Sequence, residues 1–287
     1  MANPVLLSTG KISNTMMRMT SLSTIETKSC HIGPEILPEQ FISEHMFIYI
    51  LAGEICWYIG NKTYTLKTGE YFLARKNYLG RHYGGTDDFK KVIVVFDQKF
   101  LKNNQAKHQK PAAKFNSSEG IIRISKHKLI PDFIHSLTPY YNETGKIDET
   151  FADVKREELL IILLQLHPEL SGVFFDYGIP GKIDLEEFMN RNYKYNVNIE
   201  RFAFLTGRSI SAFKRDFKAV FSETPNRWLI QKRLQEAYFL IDKRNKKPSE
   251  FYLDLGFEDL SHFSFAFKKL FGVTPTELAK QKSYAGR

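Results

Sequence analysis

Residues 211–225, SAFKRDFKAVFSETP, and residues 261–275, SHFSFAFKKLFGVTP, are two copies of one pattern set 50 residues apart. Ser211 and Ser261, Phe213 and Phe263, Phe217 and Phe267, Lys218 and Lys268, Phe221 and Phe271, Thr224 and Thr274, and Pro225 and Pro275 are identical pairs. Leu205 with Leu255 extends the match upstream. Such a repeat constrains the fold more than any single motif, because each copy has to build the same supersecondary unit. Its content predicts a helix, a glycine turn, a second helix, and then Thr-Pro opening another helix. In the first copy Asn198 is the N-cap of NIERFAFLT, Gly207 ends that helix and Ser209 caps the next. In the second, Gly256 terminates EFYLDL and Asp259 caps a phenylalanine-rich helix. Phe213, Phe217, Val220 and Phe221, and likewise Leu260, Phe263, Phe267, Leu270 and Phe271, fall on stripes at helical spacing and are expected to face a core. Two short helices joined by a tight glycine turn are a helix-turn-helix, whose second helix enters the major groove of duplex DNA.

Pro225 starts a long helix between the copies, NRWLIQKRLQEAYFLI, with Trp228, Leu229, Leu234, Ala237, Tyr238 and Ile241 on its core side. Such a helix spans about 25 Å, enough to set two recognition helices about 34 Å apart, one DNA turn. Charge agrees with an acidic partner. Residues 182–287 hold 20 Lys and Arg against 13 Asp and Glu, so most of the chain's net charge of +9 lies there.

Residues 182–282 resemble the DNA-binding domain of the AraC/XylS family of bacterial transcription regulators. Gly256, Phe257, Ser261, Phe263, Phe267, Lys268, Gly272 and Pro275 match the family's signature in the second copy. The resemblance implies a sequence-specific DNA-binding regulator, expected to be an activator, with promoter DNA and RNA polymerase as partners. There are departures. Phe251 and Tyr252 stand where the signature prefers Ile-Ala, which implies a rearranged helix contact. Phe265 stands where the family usually has Arg, whereas the aligned residue in the first copy is Arg215. The β-rich N-terminal half resembles the cupin-like regulatory domain of many members, without the cupin metal pattern.

That half carries short β-branched and aromatic runs, MFIYIL, EICWYI, TYTL, EYFLA and KVIVVF, separated by turn residues AG, GNK, KTG and YGGTDD. They read as a small β-sandwich or barrel. Residues 1–30 read as a polar arm, 102–118 as a polar loop and 149–166 as a helix. Phe151, Val154, Leu159, Ile162 and Leu166 give that helix an apolar face, widened by Leu160, Ile161, Leu163 and Leu164. It suits either an internal core or a dimer contact through Leu159, Ile162, Leu163 and Leu166. The expected fold is α+β: a β-barrel or cupin-like regulatory and dimerisation domain with helices over 1–166, a linker over 167–183, and an all-α domain of two helix-turn-helix units over 184–287.

The candidate DNA contacts follow from the exposed faces. Lys214 and Arg215 suit guanine O6 and N7, with Ser211 one turn earlier and Ser209 at the cap. Lys218, Lys268, Lys269 and Arg227 suit phosphates. On the second recognition helix the candidates are Leu260, Ser261, His262 and Phe265. Phe265 packs on thymine methyls and sugars in the groove, or packs against the neighbouring domain, or is a half-buried core ring. His31, His45, His82, His108, His127, His135 and His167 are scattered, with no metal-ligand spacing, and no cofactor is expected. Cys30 and Cys56 form no redox motif, and no apolar run approaches the ~20 residues of a membrane span. The expectation is a cytoplasmic homodimer without a membrane partner, controlled by a small molecule or protein. Phe47, Tyr49, Trp57, Tyr58 and Tyr71 either line a ligand pocket or form ordinary core. Two other readings stay open: a β-barrel enzyme with an accessory DNA domain, and a nucleic-acid binder without sequence preference.

Overall fold

The structure, a computed structural model, describes residues 29–32, 40–59, 62–83, 89–108, 115, 119–141 and 146–285. The expected arm over residues 1–30 lies outside them except for Ser29 and Cys30, as do most of the GNK and YGGTDD turns. The N-terminal half opens with strands β1 (Ser29–Ile32), β2 (Phe41–Ile42), β3 (His45–Ala52), β4 (Glu54–Ile59), β5 (Lys62–Lys67), β6 (Tyr71–Ala74), β7 (Tyr78–Tyr83) and β8 (Lys90–Phe96). Helix α1 (Gln98–His108), strand β9 (Ile121–Arg123) and helices α2 (Leu129–Ser136), α3 (Glu149–Leu166) and α4 (Ser171–Phe174) complete it. The C-terminal half is α5 (Leu185–Asn192), α6 (Ile199–Leu205), α7 (Ile210–Phe221), α8 (Pro225–Arg244), α9 (Leu260–Phe271) and α10 (Pro275–Ala285).

The strands form two sheets, ordered β1-β8-β3-β6-β9 and β2-β7-β4-β5. β1 runs parallel to β8, and every other pair is antiparallel. Strand β4 alternates: Ile55, Trp57 and Ile59 point inward, while Glu54, Cys56 and Tyr58 point out. Strands β3 and β8 are buried along most of their length, as expected of strands covered on both faces. One face of the five-stranded sheet packs Met46, Ile48, Phe72 and Val95 against Ile55, Trp57 and Leu66 of the four-stranded sheet. Its other face packs Phe47, Leu73, Val94 and Phe96 against Phe100, Phe133, Leu159, Leu163 and Phe174 of the helices. The α+β class stands, but the sheets make an open sandwich rather than a closed barrel, because among the described residues no strand of one sheet pairs with a strand of the other. Phe47, Trp57 and Tyr71 are core residues, while Tyr49 stacks on Tyr71. No helix among the described residues is long and apolar enough to cross a membrane.

Three expectations change. The polar segment after residue 97 is helix to His108, with Asn104 buried and donating to the Phe100 carbonyl. The segment 167–183 is no plain linker: Leu170, Val173, Phe174 and Phe175 are buried in the core beneath the five-stranded sheet, in a 3-10 turn, α4 and the residue that ends it. Helix α3 has the bounds expected, capped by Asp148, which accepts from Thr150 N at 2.9 Å. Leu159 and Leu163, however, are wholly buried in the chain's own core, so they offer nothing to a second chain. Ile162 and Leu166 pack partly on the same core, and the outward apolar residues are Phe151, Val154 and Ile161.

Candidate nucleic-acid interface

Each helix-turn-helix is built by capping and by buried phenylalanines. Asn198 accepts from Arg201 N at 2.9 Å to start α6, and Gly207 leaves that helix at φ +64°. A Cβ on Gly207 would lie 2.4 Å from the carbonyl carbon of Gly181, so this turn needs glycine for conformation and for space. Ser209 accepts from Ala212 N at 3.3 Å and starts α7. In the second unit the first helix is replaced by two 3-10 turns, Pro248–Glu250 and Leu253–Leu255, ended by Gly256 at φ +79°. Phe251 is buried there with its ring edge-on to Phe263. Asp259 accepts from His262 N at 2.6 Å and starts α9.

Phe213 and Phe217 of α7 and Phe263 and Phe267 of α9 are wholly buried, as expected. Phe221 and Phe271 are half-buried, while Val220, Leu260 and Leu270 are exposed and leave the expected core stripes. On α8, Leu229, Leu234, Ala237 and Ile241 are core, Trp228 is half-buried, and Tyr238 lies at the edge with its ring on Phe267 and Phe271.

All the residues singled out for DNA contact are exposed: Ser209, Ser211, Lys214, Arg215, Lys218 and Arg227 around the first recognition helix, and Leu260, Ser261, His262, Phe265, Lys268 and Lys269 on the second. Arg215 donates Nε and Nη2 to Asp216 Oδ1 at 3.2 and 3.0 Å. Asp216 is held in turn by Arg208 Nε at 3.2 Å, and its carboxyl lies below the usual range because Arg208 and then Arg215 bond its charged form. The guanidinium of Arg215 is therefore buttressed at its base while its side chain stays 77% exposed. Arg227 is paired with Glu223 at 3.2 Å.

Two residues that place these helices carry no sequence signal. Arg233 of α8 is buried and donates Nε to the Tyr193 carbonyl at 2.7 Å, Nη2 to the Tyr195 carbonyl at 2.7 Å and Nη1 to the Gly256 carbonyl at 3.0 Å. It thereby ties the connecting helix to the entry of the first unit and the turn of the second. Burial pushes its pKa down to about 10. Arg81 of β7 is only 12% exposed and lies against the rings of Tyr58 and Tyr195. Its Nη1 donates to the Asp254 carbonyl, and Nη2 sits 3.8 Å from the Asp254 carboxylate. Phe41 and Leu79 share the core of the first helix-turn-helix. The outer face of the four-stranded sheet thus touches both units. Among the described residues, no group of His, Cys, Asp and Glu is arranged to hold a metal ion.

Comparison with known proteins finds matches to both halves of the chain. Residues 45–173 match the family model described as the ExsA N-terminal regulatory domain, and residues 202–281 match that of a helix-turn-helix domain. Similar relatives include the virulence regulon transcriptional activator VirF of Yersinia enterocolitica, 22% identical over 79% of this chain and 86% of that protein. The HTH-type transcriptional regulator ExsA of Pseudomonas aeruginosa is 23% identical over 93% of this chain and 97% of its own. Among solved structures, apo ToxT from Vibrio cholerae aligns over 84% of this chain and 90% of its own at 14% identity, with a TM-score of 0.39. The protein is a DNA-binding transcription regulator with two helix-turn-helix units. In both halves it is similar to regulators of the AraC/XylS type.

Proposed function

We propose that the chain binds promoter duplexes as a dimer in the bacterial cytoplasm and activates transcription there by engaging RNA polymerase. It works by binding rather than catalysis. The observation that carries the reading is the pair of capped, basic recognition helices held in one frame by Arg233. The names of its relatives, transcriptional activators and regulators, support the direction of control. Lys214 and Arg215 are the base readers of α7, with Ser209 and Ser211 beside them. Lys218, Lys268, Lys269 and Arg227 face phosphates, and Leu260, Ser261, His262 and Phe265 belong to the second recognition face.

We place the regulatory unit from the N-terminus to the end of α4, and the DNA-binding unit from Asp184 onward. The outer face of α3 supplies the dimer contact through Phe151, Val154 and Ile161, with Ile162 and Leu166 at its margin. An effector, small molecule or protein, acts through the four-stranded sheet, where a cleft of about 430 Å³ lies between Tyr78 and Leu79 on one side and Phe188 and Arg191 on the other. The test is Arg215→Ala. Specific binding to a selected duplex should fall at least tenfold, about 1.4 kcal/mol, while binding to unrelated duplex at the same salt changes far less. An equal loss on every sequence would remove Arg215 from base reading.

A further inference from the structure

The two recognition helices have the same length and the same buried phenylalanines but opposite chemistry at one aligned position. Arg215 on α7 corresponds to Phe265 on α9, and the Phe265 ring is 70% exposed. That exposure removes the alternative in which the ring packs against the neighbouring half of the chain. The side chains one turn away are Ser261 and His262 on one side and Lys268 and Lys269 on the other, all exposed. A lone ring framed by polar and cationic groups is too small an apolar patch for a protein partner. It suits a polyanion whose floor presents isolated methyl groups.

We propose that α9 reads thymine, with the Phe265 ring against C5 methyls in the major groove and Lys268 and Lys269 on the flanking phosphates. This rests on the DNA-binding reading above. Phenylalanine has no donor for guanine O6 or N7 and no acceptor for the amino groups of adenine or cytosine. The thymine methyl is the one major-groove feature that an apolar side chain recognises directly. Arg215, by contrast, presents donors. The operator is therefore asymmetric, with a donor-read block beside a methyl-read block.

The experiment uses the full chain. Duplexes are selected from a random pool, and an enriched duplex is then remade with uracil in place of thymine in one block at a time, which deletes only the methyl. In the block under α9, each buried methyl lost should weaken wild-type binding about fourfold, the ratio equivalent to ~0.8 kcal/mol. Phe265→Ala should bind the thymine and uracil duplexes alike, and Phe265→Arg should move the selected base in that block from thymine to guanine. Being exposed, all three forms should share one melting temperature. An enriched motif whose uracil form binds wild type unchanged would overturn thymine reading and leave DNA recognition intact. No enriched motif at all would overturn both.

Discussion

Replacing Arg233 with methionine tests whether one buried cation holds the two DNA-binding units in register. The side chain makes three hydrogen bonds, to the carbonyls of Tyr193, Tyr195 and Gly256. Bonds from a charged donor contribute roughly 1.5–3 kcal/mol each, about 4.5–9 kcal/mol for three. Against that stands desolvation. The guanidinium faces no carboxylate among these partners, and relieving a buried charge returns several kcal/mol. The net loss for Arg233→Met should be about 2–5 kcal/mol, mostly the cost of three carbonyls left without donors. Urea unfolding of the full chain should show a lower midpoint at unchanged slope. Arg233→Lys keeps the charge but not the planar fork, so it should lose most of the same stability. A methionine variant within about 1 kcal/mol of wild type would refute the reasoning. So would a variant that is destabilised as expected yet, under conditions where it is folded, binds the selected duplex with full affinity.

His45 should make the fold acid-sensitive. It is wholly buried, accepts from Lys76 N at 3.3 Å and has its pKa lowered from 6.5 to about 3, first by burial and then by Lys76 and Arg75. The folded state thus keeps it neutral. Its contribution is complete above pH 6.5 and is lost as pH falls towards about 3, at up to about 1.4 kcal/mol per pH unit. Melting curves between pH 4 and 7 should be flatter for His45→Asn, and an unchanged slope would exclude this origin. On α3, Val154→Asp places a charge in the exposed apolar stripe without touching Leu159 or Leu163. Sedimentation should show a dimer of the wild type shifting to monomer with little change in melting temperature; an unshifted dimer would place the interface elsewhere.

The parts legible in the sequence are those with local causes. The repeat gave α7 and α9 because capping side chains and buried phenylalanines both recur at the 50-residue offset. Strands β3, β4 and β8 stood out through β-branched, aromatic runs. Strand β7, YLGRHY, did not, since Gly80 interrupts it and Arg81 turns out of the sandwich towards Asp254. Helix α1 is too polar to show an apolar stripe, and its buried Asn104 is satisfied within its own helix. Helix α5 did carry a signal: Asp184 caps Glu187 N at 2.6 Å, with Leu185, Phe188, Met189 and Asn192 following at helical spacing. In α3 nearly every position of the last turns is apolar, so periodicity alone cannot say that Leu159 and Leu163 face inward and Ile161 outward. The second unit's scaffold helix looked regular in EFYLDL, yet Phe251 is turned into the core against Phe263 and the backbone tightens into 3-10 turns.

Arg81 and Arg233 were invisible for a different reason: their partners are far away in sequence, and neither residue sits in a motif. Together they hold the turn before α9 from two sides. Asp254 is held from the sheet side by Arg81, and Gly256, two residues on, is held from α8 by Arg233. A Cβ on Gly256 would lie 2.8 Å from both Arg233 Cζ and the Lys194 carbonyl, so this turn has no slack. A displacement of β7 therefore either carries the turn before α9 with it or breaks the Arg81–Asp254 contact. Leu79 of β7, paired with Phe41 of β2, lies in the core of the first unit with Phe213 and Phe217, so the same displacement also reaches α7. The sheet thus meets the first unit through apolar packing and the second through the Arg81–Asp254 contact.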